Sequence, residues 1–226
     1  IRESLASSDE SVKLAALAAL GQLIAVQDLE LLTSRALAGG NAPETVAAQA
    51  ALRMAALRMA DREATAAKLA ACLSGASAEN QAYLLELLGK VSGKKALQTV
   101  VSAAKSSDAA LKEAATKALG EWPNPEAADA LLDLAKTDPE NKYRVRALRG
   151  YIRIARQLQL PDDVKLTMFQ TVMATADRDA DKQVALDILT RIPSVQTLKL
   201  AASYVDQAGL QDAAADAAVK IGKRLV

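Results

Sequence analysis

A short phrase of small residues around one large aliphatic residue recurs along the chain at a nearly constant interval. Its clearest copies are AALAALG at 15–21, AATKALG at 114–120 and DAAVKIG at 216–222. With four weaker copies, the phrase ends at Gly21, Ala55, Gly89, Gly120, Ala155, Thr190 and Gly222. The steps between these residues are 34, 34, 31, 35, 35 and 32 residues. Because a period in this range is typical of helical repeat proteins, we expect a row of stacked, similar units.

The second half of each period predicts a second amphipathic helix. Apolar residues stand eight and eleven positions after the phrase, as at Leu29 and Leu32, which is the spacing of one helix face. After Ala55 the register shifts to Ala66, Leu69 and Leu73, and after Ala155 these residues come late, at Val164 and Met168. The predicted helices are 9–23, 28–38, 43–59, 62–74, 78–91, 94–105, 108–120, 125–136, 140–158, 161–175, 179–191, 194–207 and 211–225. Short links between them indicate antiparallel neighbours, and no stretch alternates as a strand would.

Proline and aspartate mark several of these helix starts. Proline is tolerated in a first helical turn, where its missing N–H has no partner to lose, and aspartate is a good N-cap. The prolines in question are Pro43, Pro139 and Pro161, and the aspartates are Asp9, Asp108 and Asp138.

The residue types present exclude the commonest enzyme sites. The chain has no histidine, so a Ser-His-Asp or Cys-His site cannot be built, and the commonest metal ligand is missing. Cys72 is the single cysteine, which excludes an intrachain disulfide and a cysteine metal cluster; we expect it to be a small packed side chain. No catalytic residue, cofactor or metal site is therefore predicted, and we expect the chain not to be an enzyme.

Three aspartates resemble part of a calcium loop, but the pattern is incomplete. Asp177, Asp179 and Asp181 alternate as loop ligands do, whereas Lys182 and Ile188 stand where such a loop needs glycine and a bidentate glutamate. An acidic helix start is the better interpretation.

The helix with Val12-Lys13, Ala15-Ala16 and Leu20-Gly21 resembles the first helix of a HEAT repeat, and 108–120 resembles it equally well. The resemblance covers nearly the whole chain and implies an all-α fold: a right-handed α-α superhelix, or solenoid, of about six helix pairs plus a final helix. We expect one HEAT-like domain over 1–226. The chain shows no signal peptide and starts at Ile1 rather than at methionine, so we also expect it to be a piece of a longer protein.

The sharpest local feature is a basic stripe on the helix predicted at 140–158. Steps of four and three residues place five cations on one side of the helix, and positions 141 to 156 contain no acid. The five are Lys142, Arg146, Arg149, Arg153 and Arg156. One interpretation is a face that binds an acidic partner. The other is that carboxylates of neighbouring helices, among them Asp181, neutralise it.

Two aromatic positions offer weaker candidates. Trp122 lies in a turn beside Pro123, where it is either an exposed binding anchor or a plug between helix pairs. Tyr204 and Leu200 are four residues apart on a predicted helix and would form a small apolar contact patch if they faced outward.

The resemblance and the residues together leave three functional hypotheses. HEAT-like arrays are known mainly as scaffolds, so the first is a non-catalytic module whose partner is another protein, with an acidic surface suiting the stripe. The second is nucleic-acid binding through Lys142–Arg156; a DNA glycosylase is disfavoured because it needs aromatics around an extruded base, and the chain has one Trp and one Phe. The third, a lyase or chaperone for a tetrapyrrole, depends on repeat shape alone. The sequence has no run of 18 apolar residues, so we expect no membrane partner.

Overall fold

A computed structural model describes residue 1, residues 3–38 and residues 43–226 of the chain. Within these residues there is no strand, and thirteen α-helices correspond one to one to the thirteen predicted ranges. The helices, α1 to α13, are Glu10–Leu23, Glu30–Ala36, Pro43–Arg58, Arg62–Ala71, Ala78–Val91, Lys94–Ala104, Ala109–Gly120, Ala128–Thr137, Asn141–Gln157, Asp162–Thr175, Asp179–Leu189, Val195–Ala202 and Gln211–Leu225. Short 3₁₀ turns at Glu3–Ala6, Val26–Asp28 and Pro125–Ala127 complete the helical structure. The all-α prediction is confirmed.

Several helix ends differ from the prediction for local reasons. Asp9 and Asp108 cap α1 and α7 through their side chains, as expected. Asp138 instead ends α8, and its carboxylate accepts a hydrogen bond from the backbone N–H of Glu140, the residue that precedes α9. The prediction for α12 was too long, since that helix stops at Ala202 and the chain turns until Gly209, where φ is +83°.

The first compact unit is Ile1–Pro123, and its helices stack in register. The first helices of successive pairs pack on one another, α1 on α3, α3 on α5 and α5 on α7. The second helices follow the same rule where α4 packs on α6, and α6 also contacts α7. Packing of each helix on the helix two places further along is the arrangement of an α-solenoid.

The second compact unit, Asn124–Val226, is built in the same way. Its first helices α9, α11 and α13 form a row. The second helices pack against them: α8 and α10 contact α9, and α12 contacts both α11 and α13. The α-solenoid class is thus confirmed within each unit. The right-handed winding and the expectation of one domain over 1–226 stay predictions.

The repeated phrase marks the core. The large aliphatic residue just before its end is buried in six copies, at Leu20, Leu88, Leu119, Ile154, Leu189 and Ile221. The second copy departs from this, because Met54 is 46% exposed and Leu52 is buried in its place. The small residue that ends the phrase allows close approach: a Cβ on Gly21 would lie 3.0 Å from the Cα of Ala51 in the next first helix.

Two further expectations about burial are settled by the structure. Val164 is 40% exposed, so its assignment to the core was wrong; it stands in the first turn of α10, whereas Met168 one turn later is buried. Trp122 is fully buried, so the exposed-anchor interpretation was wrong as well.

Cys72 is half-buried at the end of α4, and burial raises the pKa of its thiol. Among the described residues, every helix is too short or too polar to reach across a lipid bilayer.

Candidate interaction surface

Helix α9 positions the five cations of the basic stripe. One broad side of this 17-residue helix is buried, and Leu148, Ile152 and Ala155 of the predicted core lie on it, while Val145 is half-buried. The opposite side carries Lys142, Arg146, Arg149, Arg153 and Arg156, which we call the α9 basic face. Lys142, Arg149 and Arg156 are exposed, and Arg146 and Arg153 are half-buried. The sequence therefore placed all five on one side of a real helix, with no acid between Asn141 and Gln157.

A tyrosine supports one end of the α9 basic face. The Tyr143 ring is buried, and the Lys142 ammonium nitrogen lies 5.3 Å from its centroid. The Arg146 guanidinium carbon lies 5.8 Å from the same centroid. Both distances lie within the range of cation–π attraction. The ring thus holds two cations over one turn of the helix, a contact that the spacing of charges alone did not predict.

The middle of the face is tied to the next first helix by Arg149. Its Nε lies 3.3 Å from a carboxylate oxygen of Asp181 on α11. Asp181 is almost completely buried, with a side chain 5% exposed, and its other oxygen lies 3.9 Å from Nε of Arg178. A buried carboxylate requires such partners. Arg149 nevertheless keeps 58% of its side-chain surface exposed, so it both stabilises the packing of α9 on α11 and reaches solvent.

The remaining arginines of α9 have different surroundings. An Arg153 nitrogen lies 3.5 Å from the side-chain oxygen of Gln157, a residue of the same helix. Arg144, two residues from both Lys142 and Arg146 and therefore on another side of the helix, is 3.6 Å from Asp177 and donates to the backbone oxygen of Asp138. Arg156 is exposed in the last turn of α9, where positive charge also complements the helix dipole.

The acidic triplet is explained by these contacts. Asp177 and Asp181 pair with arginines of α9, and Asp179 is exposed in the first turn of α11. In the described residues no group of three or more acidic or cysteine side chains is placed to hold a metal ion. The predicted contact patch of Tyr204 and Leu200 was wrong, because it required both residues to lie on one continuous helix. Tyr204 lies beyond the end of α12, and both side chains are half-buried.

Comparisons with known proteins support the repeat assignment. The family model described as HEAT repeats matches residues 65–151. No curated protein matches the chain. Among solved structures, the crystal structure of an engineered protein, a target of the Northeast Structural Genomics Consortium, is similar at 15% identity over 98% of this chain and 94% of that one, with a TM-score of 0.36. Residues 65–151 thus match the HEAT-repeat family, and helices stack in the same order on both sides of that segment.

Proposed function

We propose that this chain is a non-catalytic protein-interaction module and that its α9 basic face binds an acidic segment of a partner protein. HEAT repeats commonly serve as protein-interaction scaffolds, which supports the general role. The observation that carries the specific role is the 17-residue helix without an acid, from which three cations of the face project into solvent.

The energetics of the helix favour an acidic ligand. Like charges three or four residues apart destabilise a helix by about 0.2–0.5 kcal/mol per pair, and the face contains four such steps in succession. Asp181 relieves this at Arg149. A ligand with several carboxylates would relieve the repulsion along the whole face, which is about 21 Å long from Lys142 to Arg156 at 1.5 Å per residue.

The surroundings favour an acidic protein segment over a nucleic acid. The carboxylate of Asp181 lies 3.3 Å from Arg149 in the middle of the face. A uniformly charged phosphate backbone would be repelled by such a carboxylate, whereas a protein segment can place a neutral or basic residue there. Mixed charge around a basic stripe therefore suits a partner with a specific sequence.

The test is binding of a fluorescein-labelled polyglutamate peptide, followed by anisotropy, to the wild-type chain and to the double variant K142E/R156E. Both residues are exposed, and neither is the partner of buried Asp181, so the variant should keep its melting temperature. We expect affinity to fall about tenfold or more, since reversal replaces attraction by repulsion at two positions.

The matched control reverses two exposed lysines elsewhere in the same unit, K136E/K199E on α8 and α12. It makes the same change in net charge, so an equal loss of affinity in the control would show non-specific attraction and refute the proposal. A DNA duplex that binds more tightly than the peptide, with a steep dependence on salt, would instead favour the nucleic-acid alternative.

A further inference from the structure

A groove of about 950 Å³ lies between α4 and α6 in the first unit. These are the second helices of consecutive pairs, and they pack side by side. The groove is lined from α4 by Ala67, Ala70 and Ala71 and from α6 by Thr99, Ser102 and Ala103. Both sets follow the i, i+3, i+4 spacing of one helix face. Short side chains on the two facing sides leave the space between the helices open.

The groove carries a positive charge at Lys95. Lys95 lines it directly, and Lys68 and Lys94 are exposed on the same two helices. No acidic side chain is among the lining residues. Within the described part of the chain, none of these three lysines forms an ion pair.

Two carboxylates at the ends of the helices here are already engaged. The two oxygens of Glu63 accept hydrogen bonds from the backbone N–H groups of Lys94 and Lys95, at 2.7 and 2.9 Å. Asp108 accepts from backbone N–H groups in the first turn of α7. Each thereby caps a helix N-terminus, which is where its charge is most stabilising. The lysine ammonium groups remain available to a ligand.

The groove suits a helix better than an extended peptide. The backbone groups of α4 and α6 that face it are hydrogen-bonded within their own helices, so an extended chain would leave its N–H and C=O groups without backbone partners there. A helix satisfies its own backbone and needs only an apolar stripe to lay against the alanines. The 11-residue α6 is about 16 Å long at 1.5 Å per residue, which matches about three turns of a partner helix.

We propose that the α4–α6 groove docks an amphipathic helix of a partner protein, with its apolar stripe on the alanines and with an aspartate or glutamate side chain meeting Lys95. This site goes beyond the α9 basic face, because it lies in the other unit and recognises a folded helical segment through shape as well as charge.

The test uses a synthetic peptide with leucine at i, i+3, i+4 and i+7 and glutamate on its flanks, and a scrambled peptide of the same composition. Binding to the full chain is measured by anisotropy and peptide helicity by circular dichroism. The wild-type chain should bind the ordered peptide with a gain in helicity. The substitution Ser102→Trp should abolish measurable binding by filling the groove, and Lys95→Glu should weaken it about fivefold.

Controls separate this proposal from the α9 basic face. Gln170→Trp, at an exposed position of α10, adds the same bulk elsewhere and should leave binding unchanged. Equal affinity for the scrambled peptide, or binding without gain in helicity, would overturn the docked helix. Loss of binding in K142E/R156E but not in Ser102→Trp would also overturn it, by moving the peptide to α9. Failure of polyglutamate binding at α9 would leave these results unaffected.

Discussion

Replacement of Leu119 by alanine is expected to destabilise the first unit strongly. Leu119 is fully buried on α7, which packs against both α5 and α6. It occupies the large aliphatic position of the repeated phrase. Removal of a buried leucine side chain costs its transfer free energy plus the free energy of the cavity that remains, so we expect Leu119→Ala to lower the unfolding free energy by about 2–5 kcal/mol. Urea denaturation followed by helical circular dichroism measures this change.

The chain supplies matched controls with the same chemistry. Leu23 is 68% exposed and Leu57 is 47% exposed, so alanine at either position should cost less than about 0.5 kcal/mol. An unfolding free energy for Leu119→Ala that stays within the range of these two variants would show that the phrase does not mark the core. The period inferred from the phrase would then not correspond to repeated core positions.

Three other perturbations test the packing of the units. Gly21→Ala should lower stability by about 1–3 kcal/mol, because the new methyl would lie 3.0 Å from backbone atoms of Ala51; urea denaturation measures this. Burial raises the pKa of Tyr83 to about 12, so stability should be full below about pH 10 and fall as pH rises towards 12, which denaturation across that window would show. Arg149→Ala should cost about 1–2 kcal/mol in denaturation experiments, because it leaves buried Asp181 with a single, longer contact to an arginine.

Each of these three predictions has a control variant in the same chain. Gly222→Ala meets no atom within 4 Å and should be neutral or stabilising, so equal losses at both glycines would refute the close-approach argument. Tyr83→Phe should reduce the fall in stability between about pH 10 and pH 12. Arg156→Ala should change stability by less than about 0.5 kcal/mol, and a larger effect than at Arg149 would reverse the roles assigned to the two residues.

The fold was predictable because local signals agreed with one another. The periodic spacing of apolar residues, caps such as Asp9 and Asp108, and the short links all indicated the same helices. The errors lie where tertiary contacts decide. Nothing in the local pattern of 194–207 indicated that α12 would end at Ala202. Nor did the phrase around Met54 reveal that Leu52 takes the buried position in that copy.

The candidate surface was predictable in position but not in its contacts. Helical spacing alone places the five cations on one side of α9. The partner of Arg149 lies about one period away, at Asp181 after 32 residues, and Arg53 in the first unit likewise meets Glu86 after 33. That regularity is a usable signal: in a stacked array, a charge on one first helix can be checked against opposite charge about 32 residues later. The Tyr143 ring offers no such signal, because its contacts depend on burial and rotamer.

The central claim, that the α9 basic face is the surface that binds an acidic partner, is tested most directly by arginine side-chain NMR. The Nε–H resonances of the ¹⁵N-labelled chain are followed during titration with polyglutamate. We expect saturable shifts at Arg153 and Arg156, with resonances of Arg53 and Arg62 in the first unit unchanged. Equal shifts at exposed arginines of both units, or no shift at Arg156, would contradict the claim.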